Sequence, residues 1–292
     1  MNRADSEEKR RHSSGLVPYS YYKCRIPDYF ANVPLHWHTE FELNVILSGR
    51  AEFICGEKKF TSEEGDIILI PPNVLHAIYP AQGFSQLYDT VVFNPDMTGA
   101  RDSDRCAAEC IRPLVNGSFG INPRITAKHI YYGELKTTAD NIISCAKGNS
   151  PRLDMLLKSE LLRLFWLLYE SGDIFPEKES SVKQSEMIRP ALELMNTRYF
   201  DNITIEMLAA SVHLSSSYFM GCFKRYAGVG AMEYLGQIRI KKACELLSER
   251  DISVADAAFE CGYRNISNFN RQFKKVVGCT ASEYRKKSRT DK

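Results

Sequence analysis

Apolar and polar positions change their period along this chain. Between Leu35 and Phe93 short β-branched and aromatic runs, Phe41 to Leu47, Ala51 to Cys55, Asp66 to Ile70 and Tyr88 to Phe93, alternate with turn residues. Many short strands of this kind predict a barrel or jelly roll. From 127 to 171 the period lengthens into two helical stretches, the second from Pro151 to about Ser171. In it Leu157, Leu161, Leu164 and Leu168 recur at 4, 3, 4 spacing, as in a short coiled-coil seam. That seam either joins two copies of the chain or packs on the barrel. Residues 173–185 turn to Glu, Lys, Ser, Pro and Gln and read as a linker. Residues 1–15, polar and charge-rich, read as a disordered tail.

The C-terminal third repeats itself. Thr204 to Tyr234 recurs from Ser253 to Tyr284 at an offset of 49, becoming 50 after one inserted residue. Ala209 pairs with Ala258, Phe219 with Phe269, Phe223 with Phe273, Lys224 with Lys274, Gly228 with Gly278, Glu233 with Glu283 and Tyr234 with Tyr284. Each copy reads as helix, turn, helix. Thr204 caps the first helix, and Ser215-Ser216 re-caps the chain for a second whose Phe219 and Phe223 share a face. In the other copy Ser253 and Asp256 form a capping box, Gly262 supplies the turn, and Asn265 caps the helix carrying Phe269 and Phe273. Between the copies, Ala231 to Ser248 is one amphipathic helix. Its length of about 25 Å suits it to hold two helices near one DNA turn apart, roughly 34 Å.

Composition narrows the class. The chain of 292 residues is 44% hydrophobic and 25% charged, enough for two globular domains. No apolar run approaches the roughly 20 residues of a membrane span. Nine cysteines, an odd number without paired spacings, fit a reducing cytoplasm. Cys106 and Cys110, four apart in a helical stretch, are either a metal or redox pair or small buried hydrophobes. The net charge of +2 hides an asymmetry: residues 181–292 carry 18 Lys and Arg against 12 Asp and Glu. A basic C-terminal segment points to a polyanion partner.

The string Ala209-Ala210-Ser211-Val212-His213-Leu214-Ser215-Ser216-Ser217-Tyr218-Phe219, followed by Phe223-Lys224-Arg225, resembles the first helix-turn-helix of the AraC/XylS regulators. Ala257 to Tyr263, Phe269 to Lys275 and Glu283-Tyr284-Arg285 resemble that family's signature region. The resemblance runs from near Ile188 to Lys287. It implies a seven-helix DNA-binding domain acting on promoter DNA and usually activating transcription. Carried across, the groove-facing positions are Ser217, Met220 and Gly221 in the first unit and Ile266, Ser267, Asn270 and Arg271 in the second. Asn pairs bidentately with adenine and Arg with guanine, whereas Gly offers nothing and Met only contact with a thymine methyl. Discrimination is therefore expected to lean on the second unit. Lys224 and Lys274, one turn farther along, are expected on phosphates.

The N-terminal half carries His36-Trp37-His38-Thr39-Glu40-Phe41-Glu42, then Gly49, Gly65, Pro71, Asn73 and His76. This resembles the two cupin motifs, with Asn73 in place of the usual Gly. Residues two apart on a strand share a face, so His36, His38 and Glu42 have one parity. With His76 from another strand they make a three-histidine, one-carboxylate set suited to a divalent transition metal. The same set can instead hydrogen-bond a polyol, with Trp37, Tyr79 or Tyr88 offering a stacking face if they point inward.

The sequence thus predicts an α+β chain of two domains. A cupin-like sensor barrel spans 16–126, a helical pair for dimerisation or packing 127–172, the linker 173–185, and an all-α domain with two helix-turn-helix units 186–288. The expected function is a cytoplasmic, non-enzymatic, DNA-binding regulator, an activator by family habit, responding to a small molecule such as a carbohydrate. Promoter DNA, the effector and a second copy of the chain are its expected partners, with RNA polymerase as a further candidate. The alternatives are a metal-dependent cupin enzyme or metal sensor fused to a DNA-binding domain, and a constitutive DNA-binding protein whose barrel only dimerises.

Overall fold

The structure, a computed structural model, describes residues 16–28, 32–177, 179–227 and 229–290. The expected N-terminal tail and Gly228 of the repeat lie outside these residues. Contacts divide the chain between Ser185 and Glu186 into two units.

The N-terminal unit opens with eight strands: β1 (Tyr19–Ile26), β2 (Val33–His36), β3 (Phe41–Gly49), β4 (Ala51–Cys55), β5 (Lys58–Ser62), β6 (Ile67–Ile70), β7 (His76–Pro80) and β8 (Gln86–Phe93). A π-helical turn at Ala107–Ile111 leads into α1 (Arg112–Val115). Then follow β9 (Phe119–Ile121), β10 (Arg124–Ile125), α2 (Tyr132–Lys147), α3 (Pro151–Glu170) and β11 (Ile174–Pro176). One sheet has the order β1-β8-β3-β6-β10 and another β2-β7-β4-β5, while β9 and β11 form a separate ribbon.

Both faces of the five-stranded sheet are buried, and strand parity decides what each one meets. Phe41, Leu43, Val45, Leu69, Val91 and Phe93 share a core with the helices α2 and α3. The opposite parity, with Ile46, Ile68, Ile70 and Tyr88, faces a second core that also holds Phe53 and Ile78 of the four-stranded sheet. The two sheets therefore close over one interior, the barrel bore. The strands β1, β5 and β7 were not legible as apolar runs, because Tyr19–Ile26 and Lys58–Ser62 mix polar and apolar residues.

One open alternative is decided here, and one stretch carries more structure than its composition suggested. Leu157, Leu161, Leu164 and Leu168 are fully buried in the core shared with the barrel's outer sheet, so the coiled-coil seam packs within its own unit. Residues 173–185, read as the interdomain linker, end where contacts divide the chain and carry structure of their own. Ile174–Pro176 pairs with β9, and the next helix, α4 (Glu179–Thr197), has already begun by Glu179. The polar composition hid a structural hub. Asp173 accepts hydrogen bonds from Ser171 at 2.6 Å, Asn122 at 3.1 Å and His129 at 2.7 Å. Burial alone would raise its pKa, but these three donors together hold it below the ordinary carboxylate value.

The C-terminal unit is all helical: the remainder of α4, then α5 (Ile205–Ser211), α6 (Ser216–Ala227), α7 (Ala231–Glu249), α8 (Val254–Glu260), α9 (Ile266–Val277) and α10 (Ala281–Thr290). The predicted caps form. Thr204 Oγ1 accepts from Met207 N, Ser253 Oγ from Asp256 N and Asn265 Oδ1 from Asn268 N. The repeat is equally visible in the packing. Phe219, Phe223 and Tyr234 pack in sequence as tilted rings with centroids 5.6 and 5.7 Å apart, and Phe269, Phe273 and Tyr284 repeat this at 5.4 and 5.8 Å.

Candidate functional site

Each half of the C-terminal unit ends its first helix in the same way. His213 N donates to Ala210 O and Leu214 N to Ala209 O, while Gly262 N donates to Phe259 O and Tyr263 N to Ala258 O. The turn residue is left-handed in both, His213 at φ 55° and Gly262 at φ 82°. This turn sets α6 on α5 and α9 on α8, each buried through its phenylalanine pair. The opposite faces of α6 and α9 are left to solvent. Ser217, Met220, Gly221 and Lys224 are exposed on α6, and Ile266, Ser267, Asn270, Arg271 and Lys274 on α9.

Two further residues belong with these, and sequence reasoning passed them over. Tyr218 and Asn268 occupy the same position in the two copies, in the first turn of α6 and α9. Tyr218 is exposed, and Asn268 Oδ1 accepts a hydrogen bond from Arg271 Nη2 at 3.0 Å. Asn268 therefore orients the Arg271 guanidinium. The offset of 50 that pairs Phe219 with Phe269 would have flagged both.

In the barrel, His36, His38, Glu42 and His76 converge, with one ligand atom from each lying within 4.8 Å of the others. His36 ends β2, directly across from His76 on β7. Glu42 lies on β3 with the inward parity of Ile46. Asn73, standing in for the motif's glycine, takes a left-handed φ of 64°, a conformation Asn tolerates better than most residues. Its N–H donates to His38 O at 2.7 Å, which holds the loop before β7 beside the first motif.

Each imidazole is pinned from behind. His36 Nδ1 donates to Pro34 O at 2.9 Å, His38 Nδ1 to Glu40 O at 3.1 Å and His76 Nδ1 to Val74 O at 2.8 Å. Such bonds fix tautomer and ring orientation, as the backbone does for metal-ligating histidines. A neutral ring held this way presents a lone pair at Nε2. The Nε2 atoms of His38 and His76 lie 3.3 and 3.6 Å from the same carboxylate oxygen, Glu42 Oε2. Lone pairs facing a carboxylate repel unless positive charge is shared among them, as a proton or as a cation. Burial works to raise the pKa of Glu42, yet bonding to His38 and His76 and their charge outweigh it and hold the carboxyl well below its usual range.

The other Glu42 oxygen is held as well. Asn44 Nδ2 donates to Glu42 Oε1 at 2.8 Å, and Thr90 Oγ1 donates to Asn44 Oδ1 at 2.6 Å. Asn44 and Thr90 share the inward parity of Glu42 on paired strands, a signal readable once the register is known. Cys55 pairs with His76 across β4 and β7; burial pushes its thiol up to about 12. Of the three aromatic candidates, Tyr88 lies in the bore. Tyr79 has the opposite parity to His76 and Ile78, so alternation sends it away from the cluster. The same rule turns Trp37 away, because the flanking His36 and His38 rings converge at 5.7 Å.

Comparison with known proteins places both sites in recognised domains. The family described as a helix-turn-helix domain matches residues 208–287, and the AraC-like ligand binding domain matches residues 25–165. The chain is 24% identical to an HTH-type transcriptional regulator of Bacillus subtilis, covering 96% of each. It is 26% identical to the melibiose operon regulatory protein of Escherichia coli, over 97% of this chain and 94% of that one. It is 31% identical to the lactose operon transcription activator of Staphylococcus xylosus, over 55% of this chain and 60% of that one. Among solved structures, ToxT from Vibrio cholerae aligns with a TM-score of 0.49 and 14% identity, over 92% of this chain and 98% of that one.

Proposed function

Because the chain belongs to the AraC family of transcriptional regulators, with that family's helix-turn-helix and ligand-binding domains, we propose that it controls a carbohydrate-utilisation operon from the cytoplasm, as an activator. The duplicated unit carries this reading, with α6 and α9 turned by matching left-handed residues and both left exposed. The sugar class is supported by relatives named for the lactose, melibiose and raffinose operons. No helix among the described residues is long and apolar enough to cross a membrane. The barrel binds its effector without turning it over, and RNA polymerase is the partner through which activation acts.

Base reading falls mainly to α9. Asn270 and Arg271 make bidentate contacts to adenine and guanine, and Arg271 is pre-oriented by Asn268. Ser217, Met220, Gly221, Ile266 and Ser267 line the grooves with little to read, while Lys224 and Lys274 hold phosphates. Arg271→Ala is expected to cost about 1–3 kcal/mol on the cognate site and to relax preference at one base pair. Lys274→Ala should weaken all sequences about equally, and Met220→Ala should cost less than Arg271→Ala. Competition binding against a site library measures all three. Base preference that survives Arg271→Ala but is abolished by Met220→Ala would make α6 the reader.

A homodimer is supported by the face of α3 opposite the buried leucines. Met155, Leu156, Leu162 and Trp166 are exposed at 74, 47, 41 and 56%. An antiparallel pairing of two α3 helices places Met155 against Trp166, Ser159 against Leu162, and Arg152 beside Glu170. The surface is thus self-complementary, as an isologous interface requires. Sedimentation of the full chain gives the mass that decides it.

The histidine cluster favours a second reading of the barrel, as a site holding a divalent transition metal. His36, His38, His76 and Glu42 would hold the ion, which would supply the positive charge their arrangement calls for. Through its open positions it would bind the hydroxyls of a polyol effector, with Tyr88 in the bore behind. Protein purified without chelator should carry close to one equivalent of metal by elemental analysis, and His38→Ala should carry none. Metal-free protein that still answers its effector would leave these residues as hydrogen-bonding pocket wall.

A further inference from the structure

Away from both sites, Cys106 and Cys110 lie one helical turn apart on the segment that enters and forms the π-helical turn Ala107–Ile111, whose wide hydrogen bond runs from Arg112 N to Ala107 O. Cys106 is exposed, Cys110 is half-buried and both are free. Residues four apart on a helix share a face, so the two thiols stand on one side of this segment. The turn is anchored on both sides. Asp104 Oδ1 accepts from Ala107 N at 2.8 Å, and the Cys110 carbonyl accepts from the Tyr169 hydroxyl of α3 at 2.7 Å.

We propose that Cys106 and Cys110 form a dithiol site for a soft, thiophilic metal or metalloid ion, bound through both sulfurs. Distance favours an ion over a disulfide. Helical residues four apart hold their Cβ atoms about 5–6 Å apart, whereas a disulfide needs about 3.5–4.5 Å. Two metal–sulfur bonds of about 2.3 Å each bridge the wider gap without moving the backbone. The donor set sets the class. Asp104 spends its carboxylate on the helix start, leaving two sulfurs at the solvent edge, and thiolate pairs select soft ions over the hard, oxygen-seeking ones. The anchor to Tyr169 gives the site a fixed floor, since Tyr169 also packs on Phe119 of β9.

Phenylarsine oxide tests this, because its trivalent arsenic is held firmly only by two thiols together. Both S–H bonds break and two As–S bonds form. The oxygen leaves with the two protons as water, and arsenic remains trivalent. Reduced full-length protein at one equivalent should show a single adduct by native mass spectrometry. Cys106→Ala and Cys110→Ala should each lose that adduct by 100-fold or more in affinity, with thermal melting confirming that both fold. Cys244→Ala, which removes a free thiol of the other unit, should keep it. An adduct that persists in the Cys106→Ala, Cys110→Ala double variant, or the absence of any adduct on the unaltered chain, overturns the proposal.

Discussion

Affinity of the full chain for its promoter duplex is expected to fall about 500-fold between 50 and 200 mM salt. Side chains placed by the repeat set this loss. The second helix of each copy ends in a basic pair, Lys224 with Arg225 on α6 and Lys274 with Lys275 on α9, all exposed. Arg264 adds one exposed charge beside the start of α9, while Arg271 is spent on a base. Five neutralised phosphates give a slope of about −4.5 in log affinity against log salt, and a fourfold change in salt then costs roughly 2.7 decades. Lys224→Ala and Lys274→Ala should each flatten the slope by about 0.9. Binding titrations across the salt range measure it. Affinity that ignores salt would remove these lysines from the phosphates and, with them, the docking of α6 and α9 in successive grooves.

What the sequence made legible follows from how local each signal is. Caps at Thr204, Ser253 and Asn265 are set by neighbours within four residues, so they were readable before any fold was known. The phenylalanine pairs were readable because a duplicated segment carries its own internal control. The metal-type cluster was readable because His36, His38 and Glu42 sit at strand spacing. Its supports were not, since Asn44 and Thr90 meet only through the register of β3 with β8. The direction of Tyr79 was left open for the same reason: it is set by which parity of β7 faces the bore, and that parity is the one of His76 and Ile78.

The helix α3 shows a different limit. A 4, 3, 4 leucine stripe states that one face is buried and leaves open what buries it. The stripe met the barrel, while the less regular set Met155, Leu156, Leu162 and Trp166 stayed at the surface. Residues 173–185 end at the boundary between the units, as a linker should, yet hold structure that composition did not show. Their polar composition looked like a linker because Asp173 works through hydrogen bonds with partners more than 40 residues away, at His129 and Asn122.

Gly262→Ala is expected to destabilise the C-terminal unit by about 2–5 kcal/mol, combining left-handed backbone strain with overpacking. At φ 82° an added Cβ would stand 2.7 Å from Phe200 O, 2.8 Å from Phe200 Cα and 2.9 Å from Phe200 C. All three are backbone atoms, and the loop that carries them cannot easily retreat. Arg239 of α7 donates Nε to Tyr199 O at 2.7 Å and Nη2 to Asp201 O at 2.8 Å, clamping the carbonyls of the residues on either side of Phe200. The matching turn in the first copy carries a side chain, because His213 is exposed there and takes the left-handed conformation at φ 55°. His213→Gly should accordingly stay within about 1 kcal/mol of the parent, since relief of strain is offset by a freer unfolded chain. Gly221→Ala, in open space on α6, should stabilise by roughly 0.5–1 kcal/mol. Urea unfolding of the full chain, read by helical circular dichroism, ranks the three variants. A loss below about 1 kcal/mol for Gly262→Ala would mean that the Phe200 loop gives way, and the clamp assigned to Arg239 would be wrong.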